Sequence, residues 1–331
     1  MPNLLSANCL VIAFFGGLSL VAKADAPVLW GVAGGRGVES RLYAIDPDTG
    51  KSTEVGSTGL ESVSGLAVHP TTKVLYATQR EPAAGKSLAT LDKIRGSAAT
   101  IGDLGEAISD SAFSPEGVLY VFGDSSRDLL TVNRVTASTT LIKADAALTG
   151  GCGLTFDESG DLFITRGNSI AKLNPATGNV VSSALISGEA TDVDNLLATR
   201  GDGVIFAGRR TGNAAPTRLM RMDPATGVTA LVCSVPLALE GMAFDVAPTP
   251  GFKVSGSKIK RTKRDSLVLR GVYTSTVPAT ITANLASTTA KSGPWKLRVT
   301  GLKRGTNRIR LWCEDAVGQK GSVTVRVVVE G

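Results

Sequence analysis

Short runs of alternating apolar and polar residues fill the chain from residue 27 to its end. Gly, Pro, Asn and Asp separate these runs, with a turn signal every 8 to 12 residues or so. No stretch of this region shows the 3.6-residue apolar period of an amphipathic helix. The pattern therefore predicts an all-β protein.

One kind of run carries an aromatic residue and recurs five times. Four copies follow a second apolar run, and a fifth such run, EGMAFDV (240–246), has no aromatic run after it. The aromatic runs are VLWGVAG (28–34), VLYAT (74–78), VLYVF (118–122), DLFIT (161–165) and VIFAG (204–208); the runs that precede the last four are SGLAVHP (64–70), SDSAFSP (109–115), CGLTFDE (152–158) and NLLATRG (195–201).

A turn motif gives the repeat its period. DPDTG (46–50), NPATG (174–178) and DPATG (223–227) each follow an alternating run. Pro suits the opening of such a turn, and Gly suits an end that needs positive φ. The first two copies are separated by three periods of about 43 residues, which predicts degenerate copies around Asp92 and Asn133.

Four short strands repeating at about 43 residues are typical of the blades of a β-propeller. We predict five blades over residues 27–247. The first blade lacks its innermost strand, and the unpaired run at 240–246 can supply it. The two ends of the repeat region then close one blade, which removes the free sheet edges.

After the Pro-rich segment VAPTPG (246–251), alternation returns in runs such as SLVLRGVYTS and PWKLRVTGL. Six or seven short strands in about 80 residues predict a β-sandwich over residues 248–331.

The pattern GLAFxxxGxLYxT…LxxLDPxTG resembles NHL-type and bacterial lactonase-like β-propeller repeats. The segment VTGLKRGTNRIRLWCEDAVGQKGSVTVRVVV resembles the end of bacterial Ig-like domains, with Gly305 and Asn307 at one turn and Asp315 to Gly318 at a corner. These resemblances imply a propeller followed by an Ig-like sandwich, and they leave the ligand open.

The first 24 residues are predicted to be a signal peptide, because the apolar run CLVIAFFGGLSLVA precedes small residues at AKADA. Cleavage after Ala24 would leave a secreted or periplasmic chain with no later membrane span. It would keep Cys152, Cys233 and Cys313, an odd and sparse set. Buried free thiols are the main interpretation, and one disulfide is the alternative.

Charge divides the chain. Residues 27–250 carry 18 Lys and Arg against 24 Asp and Glu, whereas residues 251–331 carry 16 against 4. The basic run KIKRTKR (258–264) fits an edge that resists aggregation. It also fits attachment to an anionic polysaccharide or envelope component, or contact with the acidic propeller. No motif supports nucleic-acid recognition.

Blade alignment brings polar residues to the mouth of the predicted central channel, where loops lead into the inner strands. Arginines follow the aromatic strands on the same face. The predicted ligand-binding residues are Glu61, Asp110, Asp194, Asn195, Glu240, Arg166 and Arg209. The only histidine, His69, lies in a VHPTT turn and is predicted to be solvated, which argues against Ser/His/Asp and Cys/His catalysis.

A non-catalytic binding protein without a cofactor is therefore the main functional hypothesis. Lactonase-like propellers use a Glu, an Asn and an Asp at such a mouth, so the resemblance implies Ca²⁺ at Glu240, Asn195 and Asp110 as the alternative. Asp110, Asp194 and Glu240 could instead act as acid and base in a glycoside hydrolase. The scarcity of Trp and Tyr in the mouth loops argues against the hydrolase, and simple solvation of these polar side chains remains a further interpretation.

Overall fold

The structure is a computed structural model. It describes residues 27–80, 86–144, 153–188, 196–212, 214–246, 251–255, 259–275, 277–283, 286–316 and 320–330. Regular structure within these ranges is β-strand throughout, and no helix there has the length and hydropathy of a membrane span. The predicted signal peptide lies outside the described residues.

Residues 27–246 form strands that alternate in direction along the chain. In chain order they are β1 (Pro27–Ala33), β2 (Glu39–Ile45), β3 (Ser52–Glu61), β4 (Val63–Val68), β5 (Leu75–Gln79), β6 (Ser87–Leu91), β7 (Ala98–Asp103), β8 (Ile108–Phe113), β9 (Leu119–Gly123), β10 (Leu129–Val132), β11 (Thr139–Lys143), β12 (Leu154–Phe156), β13 (Leu162–Arg166), β14 (Ser169–Leu173), β15 (Val180–Leu185), β16 (Ser187–Gly188), β17 (Leu196–Thr199), β18 (Ile205–Arg209), β19 (Thr217–Met222), β20 (Val228–Val235) and β21 (Leu239–Val246).

These strands make five antiparallel sheets in the described residues. Sheet 1 has the order β21-β1-β2-β3, sheet 2 is β4-β5-β6-β7, sheet 3 is β8-β9-β10-β11 and sheet 4 is β12-β13-β14-β15. Sheet 5 is β17-β18-β19-β20, with the short β16 added in parallel outside β20. Each innermost strand contacts the innermost strands of two neighbouring sheets, which closes a ring. Radial four-stranded sheets around a central channel form a β-propeller.

Sheet 1 closes the ring with strands from both ends of the repeat region. β21 pairs antiparallel with β1, and Trp30 lies opposite Ala243. The predicted pairing of the run at 240–246 with the run at 28–34 is therefore confirmed.

The turns between the two outer strands share one geometry. In each, the amide N–H of the fifth residue donates to the carbonyl oxygen of the first, at 2.8 Å for Gly50 and Asp46 and 2.8 Å for Ala137 and Asn133. The side-chain oxygen of the first residue also accepts from the amide of the third, as Asp46 Oδ1 does from Asp48. Gly50 has φ +73°, and Ala137 reaches φ +60° at the equivalent position without being glycine. The degenerate copies predicted around Asp92 and Asn133 are thus confirmed as turns of the same kind.

The described residues between 251 and 330 form eight strands. They are β22 (Gly251–Val254), β23 (Ile259–Thr262), β24 (Leu267–Thr274), β25 (Ala279–Ala283), β26 (Ala286–Ala290), β27 (Gly293–Val299), β28 (Gly305–Asp315) and β29 (Lys320–Val329). Sheet 6 has the order β22-β24-β27, and sheet 7 has the order β23-β29-β28-β25-β26. Their buried side chains form one core, in which Tyr273 and Trp295 of sheet 6 pack with Leu311 and Val327 of sheet 7.

The two regions contact each other at the outer edge of sheet 1. Val277 and Ala316 are buried in the same apolar cluster as Trp30 and Val55 of the propeller. Lys291 Nζ donates a hydrogen bond to the carbonyl oxygen of Val55 on β3. The loops at one end of the C-terminal sheets therefore cover part of the closing sheet.

Candidate functional site

One buried carboxylate lies at the mouth of the channel between two arginines. Glu240 is the second residue of β21 and is only 7 % exposed. Its Oε2 lies 2.5 Å from Arg80 Nη2, and its Oε1 lies 2.9 Å from Arg210 Nη1. A buried carboxylate needs such partners because its desolvation otherwise costs several kcal/mol.

The chain brings these three residues together from three different sheets. Glu240 belongs to sheet 1, Arg80 follows β5 of sheet 2, and Arg210 follows β18 of sheet 5. Sheets 2 and 5 are the two neighbours of sheet 1 in the ring. The Arg80–Glu240–Arg210 cluster therefore joins the closing sheet to both of its neighbours.

Arg80 is the most open member of this cluster. Its side chain is 20 % exposed, whereas that of Arg210 is 5 % exposed. Arg80 Nε is buried and has no hydrogen-bond partner among the described residues. A buried guanidinium N–H without a partner is uncommon, since such groups are usually satisfied by protein, water or ligand.

Asp110 of β8 binds backbone rather than arginine. Its Oδ1 accepts from the amide of Ser111 and its Oδ2 from the amide of Leu154, both at 2.8 Å. Burial raises the pKa of Asp110 well above its usual value, while the two amides and Arg80 oppose that shift. Asp110 thus connects the inner strands of sheets 3 and 4.

A second connection lies at the equivalent end of sheet 2, where Ser64 Oγ donates to the carbonyl oxygen of Ile108 at 2.6 Å. The first positions of the inner strands therefore serve largely to hold neighbouring sheets together. Gly241 lies at a similar close approach between two sheets, because a Cβ there would lie 2.6 Å from the carbonyl oxygen of Ser64.

The other predicted site residues are not brought into this cluster by any described contact. Glu61 ends β3 with an exposed side chain, and its carbonyl oxygen accepts from Gln79 Nε2 at 2.8 Å. Arg209 is buried at the end of β18, and the backbone of Arg166 ends β13 opposite Ser169. Asp194 and Asn195 lie outside the described residues.

Arg80 and Arg210 were not among the predicted ligand-binding residues. Both belong to the predicted series of arginines that follow the aromatic strands on the mouth face, as Arg209 does. Their position in the sequence does not show which of them reaches the carboxylate. Nearby, Arg36 Nη2 lies 3.2 Å from Asp124 Oδ2, which connects the loops after β1 and β9.

The carboxylate oxygens of Glu240 and Asp110 at the mouth do not fit a Ca²⁺ site. Each carboxylate oxygen of Glu240 accepts from a guanidinium, and each oxygen of Asp110 accepts from an amide. Within the described ranges, no three His, Cys, Asp or Glu residues are grouped as metal ligands would be. Asn195, the third predicted ligand, is not described.

The channel below the mouth is narrow. Its cavity has a volume of about 100 Å³ and is lined by residues 66–68, 111–113, 154–156, 197–199 and 242–244, three from each inner strand. The middle position of each triplet is Ala or Thr. A ligand larger than a few atoms would therefore bind at the mouth and not inside the channel.

His69 lies in the predicted turn, but the prediction that it is solvated is wrong. It is 6 % exposed, and its ring lies 5.0 Å from that of Phe113. Its Nδ1 accepts from the amides of Thr71 and Thr72 at 3.1 and 3.2 Å. Burial lowers the pKa of His69, and the nearby charge of Arg134 lowers it further.

The described cysteines are free thiols. Burial raises the pKa of Cys233 to about 11 and that of Cys313 to about 12, with a smaller contribution from nearby carboxylates. Neither thiol is therefore activated as a nucleophile. Cys152 lies outside the described residues.

Comparisons with known proteins identify no family. No family model matches the chain, and no curated protein matches it. Solved structures with a similar arrangement include TolB from Acinetobacter baumannii, at 14 % identity, a TM-score of 0.43, and coverage of 90 % of this chain and 63 % of that one. A protein of unknown function from Bacteroides thetaiotaomicron has 21 % identity and a TM-score of 0.42, covering 65 % and 60 %.

The PQQ-bound form of aldose sugar dehydrogenase from Streptomyces coelicolor has 13 % identity and a TM-score of 0.38, covering 81 % and 94 %. These likenesses are too weak to carry function. The fold assignment instead rests on the sheet order and ring closure of the chain itself.

Proposed function

We propose that this protein is an exported, non-catalytic binding protein whose propeller mouth binds an anionic group. The observation that carries the proposal is the part-exposed guanidinium of Arg80, 20 % exposed beside the Arg210–Glu240 pair, whose Nε–H has no partner among the described residues. Glu240 Oε2 accepts from one Nη atom of Arg80, whose guanidinium offers five N–H donors. A carboxylate or phosphate can accept the remaining donors of Arg80 in a geometry that the cluster already holds.

The number of blades and the fold of the C-terminal region are also part of what we propose. We infer that sheets 1 to 5 are the five blades of one propeller spanning residues 27–247, and that residues 248–331 form an Ig-like sandwich. The ring of inner strands and the separate core of sheets 6 and 7 support this division. The excess of Lys and Arg in the second region supports its use in attachment to an anionic polysaccharide or envelope component.

Export is supported by the apolar N-terminal run and its small-residue cleavage motif. Mass spectrometry of the protein purified from a bacterial host with a secretion pathway should give a chain beginning at Asp25. A mature chain that retains Met1 would contradict export by this route.

The binding proposal is tested by titration calorimetry with galacturonate, phosphate and neutral galactose on the mature chain. We expect one of the two anions to bind and galactose to give no heat. Arg80→Gln should weaken anion binding by about tenfold, because it removes the charged guanidinium that would donate hydrogen bonds to the anion.

Arg95→Gln is the matched control. Arg95 is 77 % exposed in a turn between outer strands and pairs with Asp92 at 3.0 Å. It should leave anion binding unchanged. Failure of both anions to bind, or equal affinity in wild type and Arg80→Gln with the variant still folded, would reject the mouth as an anion site.

The Ca²⁺ and hydrolase alternatives predict different results. Ca²⁺ should raise the melting temperature if Glu240, Asn195 and Asp110 hold it, whereas the arginine contacts of Glu240 lead us to expect no shift. Turnover of a lactone or glycan that is lost in Glu240→Gln would establish catalysis and overturn the non-catalytic assignment.

A further inference from the structure

The outer face of sheet 7 carries a row of unpaired positive charges. Ile309, Leu311 and Cys313 of β28 point into the core, so the alternate residues Arg308, Arg310 and Trp312 point outward. Arg326 of β29 lies directly opposite Arg308. We name Arg308, Arg310, Trp312 and Arg326 the arginine–tryptophan face.

The arginines of this face have no acidic partner. Arg308, Arg310 and Arg326 are exposed and form no ion pair with any other described residue. Arg310 Nη2 donates to Ser322 Oγ at 3.3 Å. Glu314, the nearest acidic residue on the outward positions of β28, lies 3.6 Å from Lys51 of the propeller.

Two like charges placed directly opposite across a strand pair destabilise a sheet. Arg308 and Arg326 are such a pair, and a bound anion would relieve their repulsion. The charge pattern therefore favours a partner that presents repeated negative groups to a flat surface.

Trp312 adds an aromatic platform at the end of the row. Its side chain is 46 % exposed, and the Arg310 guanidinium lies 3.9 Å from its ring centroid. Thr282 and Ser322 lie opposite Trp312 on the two neighbouring strands. The face thus combines fixed guanidiniums, one ring and flanking hydroxyl groups.

We propose that the arginine–tryptophan face binds an anionic polysaccharide, with Arg308, Arg310 and Arg326 on its carboxylate or sulfate groups and Trp312 against a sugar ring. This deepens the attachment role proposed above and does not depend on the propeller mouth. A single-stranded nucleic acid fits less well, because successive bases need successive aromatic platforms and the described part of the face offers only Trp312.

Intrinsic tryptophan fluorescence can report on binding at this face. Of its three tryptophans, Trp30 and Trp295 are buried, and Trp312 is exposed. Quenching of intrinsic fluorescence by the neutral quencher acrylamide therefore reports mainly on Trp312. Saturating polygalacturonate should reduce that quenching, and neutral dextran should not.

Affinity is measured on the mature full chain by titration with polygalacturonate at low and physiological salt. The double variant Arg308→Gln/Arg326→Gln should bind about tenfold more weakly, and the wild-type affinity should fall with added salt as exposed charges are screened.

The matched control removes the same charge from the opposite face. Arg270 and Lys296 are exposed and lie opposite each other on sheet 6, with no aromatic residue at the outward positions of β24 and β27. Arg270→Gln/Lys296→Gln should weaken binding by less than about threefold, because this like-charge pair has no aromatic residue beside it against which a sugar ring can pack.

Equal weakening by the two double variants would overturn the proposal in favour of bulk charge, and so would unchanged acrylamide quenching at saturation. Tighter binding of single-stranded DNA than of polygalacturonate would also overturn it. If polygalacturonate binds as expected at this face but the anion titrations of wild type and Arg80→Gln show no site at the mouth, only the proposal for the mouth is rejected. If the anions bind at the mouth but the two double variants do not differ, only the proposal for this face is rejected.

Discussion

At the propeller mouth, Arg80 and Arg210 both donate to the buried Glu240, whereas on sheet 7 Arg308, Arg310 and Arg326 form no ion pair with the described residues. The same residue type therefore has two physical roles in one chain. In the propeller, two arginines join sheets that are far apart in sequence. In the C-terminal sheets, arginines leave charge free for a partner. The basic residues of this chain therefore do not form one surface with one role.

The largest expected effect comes from breaking the buried cluster. Glu240→Gln should reduce the free energy of unfolding by about 3 to 5 kcal/mol, because it removes the buried carboxylate that accepts from the largely buried guanidiniums of Arg80 and Arg210. Urea denaturation measures it. Glu54→Gln, which removes an exposed ion pair with Arg41, should cost less than about 1 kcal/mol. Similar losses in both variants would show that the cluster contributes no more than a surface pair.

The contact between the two regions should give the next largest effect. Val277→Ala deletes buried methyl groups from the cluster that includes Trp30 and Val55, and it should cost about 1 to 2 kcal/mol. Calorimetry should then show the two regions unfolding less cooperatively. A single unchanged transition would mean that this contact does not couple them. Val268→Ala, at an exposed position of sheet 6, is the control.

Protonation of His69, the only histidine of the chain, should destabilise the propeller in mild acid. Its pKa is lowered by burial, so the unfolded chain binds more protons than the folded one below about pH 6.5. Stability from the neutral ring is present above that pH and is lost as pH falls through the folded pKa, at no more than about 1.4 kcal/mol per pH unit.

His69→Asn tests this, because an Asn side-chain oxygen can accept from the same turn amides, as Asn133 does. Melting temperatures between pH 7.5 and pH 5 should fall less in the variant than in the wild type. An identical pH dependence would show that His69 does not titrate differently on folding.

The smallest effect concerns the unpaired charges of sheet 7. Arg326→Thr should raise the free energy of unfolding by about 0.2 to 1 kcal/mol at low salt, because it removes the like-charge pair with Arg308. Added salt should reduce the gain by screening that repulsion. A destabilised variant would mean that the Arg326 side chain contributes packing that outweighs its charge.

Much of the fold was predictable from local patterns. The five turns around Asp46, Asp92, Asn133, Asn174 and Asp223 depend on residues only four positions apart, and their hydrogen bonds agree with the prediction. The pairing of β21 with β1 was also predictable. The first repeat lacks its innermost strand and the last run of the repeat region has no partner of its own, so pairing the two completes a four-stranded sheet. The turns are encoded by the residue types at their first and fifth positions, and the closing pair is encoded by the number of repeated strands.

The site was much less predictable. Asp110 and Glu240 were both expected at the mouth, yet one binds amides and the other binds arginines. Glu61 was expected beside them and is exposed instead, while His69 was expected in solvent and is buried. Each outcome depends on which loop of another sheet lies close to the side chain, because a hydrogen bond needs its donor and acceptor within about 3 Å of each other.

The strands, the turns and the charge difference between the two regions follow from the amino-acid sequence alone, because each depends on composition or on residues a few positions apart. The pairing of β21 with β1 was also predictable, because it follows from the count of repeated strands. The tertiary structure was needed to show that Glu240 contacts Arg80 and Arg210, and that Arg308 lies opposite Arg326 in the register of β28 and β29. Glu240 and Arg80 are 160 residues apart in the chain. Contacts at such separation depend on the three-dimensional positions of the sheets, and no local pattern encodes them.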